Sequence, residues 1–211
     1  MLQEQVKEYI SLGSAFKEDE KLDRTQCFVP LVFALIGGMA PGAILGGFWP
    51  FLLIVMLIVS VACVITTFKL SSYGLTLQDA LCLDAVIYGT WVLNLSILEL
   101  MYFVMWKGFT PWLLLMYLPV ICIPLFVGMR IHILLKKKIY SKKRTAKSSA
   151  TAVGFGAGMA GMSFAAIFRN AEQSTVIVVV LVCFVILSSL MSLGLLSLHR
   201  LYFIKKYQMN L

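Results

Sequence analysis

Charge is scarce in this 211-residue chain: 13% of residues are Asp, Glu, Lys or Arg, against 60% hydrophobic residues. Soluble domains carry about a quarter charged residues, so this balance excludes an ordinary soluble fold and points to a membrane protein. Carboxylates are scarcest where chemistry would need them. Six of the ten acidic residues fall within residues 1–23, and Glu99 alone lies deep in an apolar run, with Asp79 and Asp84 near one end of it. Paired acids for hydrolysis are therefore missing, as are HExxH and phosphate-loop patterns.

Cysteine is equally uninformative as chemistry. Cys27, Cys63, Cys82, Cys122 and Cys183 form no CxxC pair and none falls in the short loops assigned to the outside, so no disulfide framework is implied. His132 and His199 share no ligand spacing with one another on a single helix, and no metal or cofactor is expected. The GxGxxG at Gly156–Gly161 follows a basic loop rather than a strand and has no acidic residue about 20 positions on, which makes it a packing feature. Ser163 sits mid-run, too far from His199 at the end of the next run for a nucleophile pair. The chain is read as a non-enzyme. A cleaved leader is not expected either, because residues 1–23 set six acidic residues against three lysines.

What the sequence has in abundance is long apolar runs. Roughly 20 apolar residues cross the hydrocarbon core, and six runs approach that length, at 28–48, 51–68, 83–105, 111–131, 151–168 and 175–198. The predicted fold class is all-α, a polytopic membrane bundle of six transmembrane helices. Residues 1–27 form an amphipathic N-terminal segment, with Leu2, Val6, Tyr9 and Ile10 at helical spacing, read either as a surface helix or as a frayed tail. Residues 201–211 form a tail. Trp49-Pro50 makes the first two runs a tight hairpin, and 71–80 reads as a water-exposed connection.

The cations supply direction. The net charge of +8 is not a nucleic-acid stripe, because Lys and Arg cluster at the ends of apolar runs. Eight of the eighteen lie in 130–147, seven of them in the basic loop 132–150 and Arg130 just before it; with Lys7, Lys17, Lys21, Arg24, Lys69, Arg200, Lys205 and Lys206 they put sixteen on one side. Lys107 and Arg169 alone fall on the other. By the positive-inside rule both termini and the basic loop are cytoplasmic, in the plasma membrane. Trp49, Phe51, Trp106, Phe109 and Trp112 cluster at the opposite turns, where ring side chains favour the headgroup layer.

Three features inside the runs are candidates for function or packing. Gly38, Gly42 and Gly46 stand four apart on the first run, and Gly154, Gly158 and Gly161 give the fifth a similar face. Helices associate in lipid by close packing rather than by hydrophobic gain, so these two are expected to touch, within one chain or between copies. Pro41, Pro119 and Pro124 each remove a backbone donor and predict kinks. Glu99 must face the interior or be protonated, with Ser96, Tyr102, Tyr88, Val92 and Trp106 on roughly its face and Lys107 two turns away. The functional expectation is a small permeation or transport component. The alternative is a membrane-embedded interaction protein, such as an accessory subunit, scaffold or toxin-immunity factor. Its partners are the lipid bilayer and either a second copy or another membrane protein, with no nucleic acid.

Overall fold

A computed structural model describes residues 2–11, 27–45, 49–71, 76–137 and 172–207. Among them every regular element is helical: α1 (Leu2–Ser11), α2 (Val29–Leu45), α3 (Pro50–Ser71), α4 (Leu77–Lys107), α5 (Trp112–Lys136), α6 (Gln173–Ser192) and α7 (Leu196–Tyr207). A single 3-10 turn, Leu193–Leu195, joins α6 to α7, so the last two helices run nearly as one.

Among the described residues four helical stretches are long and apolar enough to cross a membrane: Pro50–Leu70, Leu77–Lys107, Trp112–Lys136 and Ser174–Tyr207. They take in four of the six runs expected to span, those at 51–68, 83–105, 111–131 and 175–198. The helix in the first run, α2, is described over 17 residues, about 26 Å at 1.5 Å per residue. The run 151–168, with Gly154, Gly158 and Gly161, lies outside the described residues, as do Gly46 and most of the basic loop.

Two boundaries move for identifiable reasons. The helix expected from 83 begins at Leu77, because Thr76 and Asp79 form a reciprocal cap. Thr76 Oγ1 accepts from the Asp79 backbone N–H at 3.2 Å, and an Asp79 carboxylate oxygen accepts from the Thr76 N–H at 3.3 Å. Asp79 had read as loop polarity; it satisfies helix-end donors instead. At the other end Gly108, at φ 71, stops the helix and donates its N–H to the Val104 carbonyl at 2.8 Å. The run expected to end at 198 continues as helix to Tyr207, carrying Lys205 and Lys206 in its last turn.

Helix α4 is the centre of the bundle. It contacts α2, α3, α5, α6 and α7, and half of its most apolar stretch is buried, compared with 11% for α5. Ala34, Met56, Leu98 and Met101 lock α2 and α3 against α4, while Tyr102, Phe103, Ile177 and Leu181 join α4 to α6. Helix α5 covers this core thinly. Only Val120, Gly128 and Leu135 are buried on it, and Pro119 and Pro124 lie inside one continuous helix.

Helix α1 packs on the end of the bundle. Val6, Tyr9 and Ile10 are fully buried against Leu81 of α4, Leu135 of α5 and Phe203 and Ile204 of α7, while Glu4 and Lys7 face outward. The amphipathic spacing thus serves an internal dock, where the start of α4 meets the ends of α5 and α7.

The expected contact between the first and fifth runs falls on residues outside those described, but the glycines of α2 make close approaches of their own. A Cβ on Gly38 would come within 2.5 Å of Leu53 Cδ1, and one on Gly37 within 3.0 Å of Leu98 Cδ1. The close approach on α2 is therefore to α3 and α4, its neighbours in the chain; Gly42 is half-buried. A tighter approach occurs at Gly194, where an added Cβ would fall onto the Tyr88 ring. Such contact is the main attraction available between apolar helices in lipid.

Candidate functional site

Glu99 lies two-thirds of the way along α4, completely buried. Its partner comes from α6: the Ser188 hydroxyl donates to one carboxyl oxygen at 2.5 Å, 89 positions away in sequence. The second oxygen, Oε2, is buried without a hydrogen-bond partner among the described residues. Lys107 does not turn back towards it. Its ammonium lies 4.6 Å from the centre of the Trp106 ring, a cation–π arrangement at an exposed position.

The sequence neighbours of Glu99 contribute less than their spacing promised. Tyr102 is buried in the apolar α4–α6 seam, edge-on to Phe184 with centroids 5.6 Å apart. Ser96 contributes through its backbone, accepting at its carbonyl oxygen from the Tyr117 hydroxyl of α5 at 2.8 Å. Tyr88 packs on Gly194. Glu99, Ser96 and Tyr102 therefore lie along one stretch of α4 without forming a single cluster.

Just over one turn below Glu99, Asn94 makes a second polar tie. Its side-chain N–H donors reach Ser60 Oγ of α3 at 2.7 Å and the Pro30 carbonyl of α2 at 3.1 Å, with Asn94 and Ser60 fully buried. Three helices are stitched by one amide. On α6, Ser188, Ser189 and Ser192 are buried near α4 and also bond carbonyls one turn back, at 3.2, 2.6 and 2.7 Å. These self-contained hydroxyls let small side chains line a tight helix contact without orphaned polar atoms.

Asn94, Ser60, Ser188, Tyr117 and Gly194 were not picked out from the sequence. A signal existed for Ser188, Ser189 and Ser192, whose spacing places small polar residues on one face of the last run. For Asn94 the signal was a lone amide in an apolar run.

A buried carboxyl beside a hydroxyl can hold and exchange a proton, or lend an oxygen to a cation, without any covalent step. No family model matches the chain, and neither does any curated protein or solved structure.

Proposed function

We propose that this chain is a small permeation or transport component of a membrane, working through the Glu99 carboxyl. The observation that carries the reading is the half-satisfied state of Glu99, with one oxygen on Ser188 and the other without a partner among the described residues. A carboxyl at such depth is costly, by ~3 kcal/mol on insertion scales, and intramembrane acids commonly mark ion or proton pathways. The liposome test compares the purified protein with Glu99→Gln, which keeps shape and most hydrogen bonding but cannot ionise. Flux that depends on pH in the parent and falls to background in the variant, with both folded, is the expected result. Equal flux in both across pH would remove Glu99 from the mechanism.

A second reading, an accessory subunit, scaffold or immunity factor held by a membrane partner, is favoured by α5. Leu114, Leu118, Ile121, Leu125 and Phe126 leave a broad apolar face open there. In that case liposomes show no flux for either protein.

The orientation belongs to the same proposal and rests on the sixteen-to-two division of cations. Single cysteines at Ser141 and Asn170 in a cysteine-free background should react with an impermeant thiol reagent on intact cells only at Asn170. Labelling at Ser141 would invert the assignment.

A further inference from the structure

An apolar groove of about 680 Å³ runs between α5 and the end of the bundle where α6 passes into α7. Pro124, Gly128 and Leu196 line its middle, and His132, His199 and Tyr202 close one end. A second cavity of about 310 Å³ meets it at His132 and is bordered by Lys136 and Lys206. Both lysines are exposed. The apolar groove thus adjoins, at His132, a smaller cavity edged by two lysines.

That end is built from aromatic rings of three helices. The His132 and His199 rings lie 6.2 Å apart, and Phe203 packs against both, at 5.8 and 4.8 Å respectively. The Tyr9 hydroxyl bonds His199 Nδ1 at 3.0 Å, so α1 holds the far wall. From Ile121 to His132 the groove extends about 16 Å along α5 at 1.5 Å per residue.

We propose that this groove binds one anionic phospholipid, with an acyl chain along Pro124 and Gly128 and the phosphate at Lys136 and Lys206. The distribution of polarity selects the ligand. The Lys206 ammonium stands 5.5 Å from the centre of the Tyr202 ring, at the mouth of the groove; a neutral lipid would bring no countercharge to this end, a free phosphate would leave the groove unfilled, and a partner helix needs no cations at one end. Basic pockets between membrane helices hold acidic headgroups by this combination of charge and packing. Gly128 keeps the channel open: a Cβ there would stand 3.6 Å from Leu196 Cδ2, so alanine fits and anything larger enters the groove.

The test uses the full chain in neutral detergent, titrated with phosphatidylglycerol or phosphatidylcholine and read by native mass spectrometry. One phosphatidylglycerol per chain is expected at concentrations where phosphatidylcholine is not retained. Lys136→Gln with Lys206→Gln should weaken phosphatidylglycerol binding roughly thirty-fold, from about fivefold per lysine near an anionic headgroup. Both positions are exposed, so folding is retained. Ile121→Trp, at the exposed rim, should obstruct the acyl chain while leaving the lysines in place. Equal retention of the two lipids, or an unchanged affinity in the double lysine variant, would overturn the proposal. So would inorganic phosphate that competes as well as the lipid, or a dimer that occupies the groove and excludes it.

Discussion

Gly194→Ala is expected to remove most of the monodisperse protein recovered in detergent, while Gly89→Ala leaves the yield unchanged. The two glycines face each other's helices at the same crossing, yet their surroundings differ sharply. A methyl group at Gly89 would sit 3.8 Å from Leu195 Cδ2, an ordinary contact. At Gly194 it would overlap the near end of the Tyr88 ring, which cannot swing away without moving α4 itself. Overpacking a close contact costs about 1–3 kcal/mol where neighbours can adjust, and more where they cannot. Because this crossing joins the central helix to the turn between α6 and α7, the loss should reach the whole assembly. Tyr88→Ala in the same chain should restore the yield, since it removes the ring that the methyl group meets. A Gly194→Ala protein with an unchanged thermal midpoint would show that the close approach carries no weight.

The second large effect is expected at Asn94. Asn94→Asp exchanges the donor that serves Ser60 and the Pro30 carbonyl for an oxygen, placing two acceptors against each other in a site with no exposure. The charged form has no cation there among the described contacts, and its insertion costs ~3 kcal/mol or more. Asn94→Leu loses the same two bonds without introducing charge. Interhelical hydrogen bonds in membranes average about 0.6 kcal/mol and reach about 1.7, so leucine should cost ~1–3 kcal/mol. Thermal midpoints near neutral pH should rank the parent above leucine and leucine above aspartate. Acidification should narrow the gap between the two variants, because a protonated carboxyl regains one donor. A reversed order would mean that the amide is incidental to the three-helix contact.

Much of the architecture was legible for a simple reason: solvation acts on each residue where it stands. The apolar runs at 51–68 and 111–131 correspond to α3 and α5, and the amphipathic spacing of Val6, Tyr9 and Ile10 corresponds to α1. Contacts between distant segments were not legible. Ser188 meets Glu99 across 89 positions, and Asn94 meets Pro30 across 64, through helix rotations that no local pattern encodes. Gly38 meets Leu53 of α3, a partner that the glycine spacing on α2 does not name, since a small residue permits proximity and leaves the partner open. Asp79 misled because a polar side chain at a helix start and one in a loop look alike until the Thr76 cap is recognised.

The lengths of α4 and of the final helical stretch have a mechanical consequence. With 31 and 34 residues they measure about 46 and 51 Å, against a hydrocarbon layer of about 30 Å. Hiding α4 by tilt alone would need about 50°, beyond the 0–40° found for membrane helices. Both helices must therefore overhang the layer, and the cluster that binds Leu81, Phe203 and Ile204 to α1 places a shared overhang at one end. A platform of this kind remains assembled when the bilayer thins or thickens, because its packing does not depend on where the lipid ends. The opposite end, where the turn at Gly108 is short, leaves α4 and α5 little slack with which to follow such changes separately.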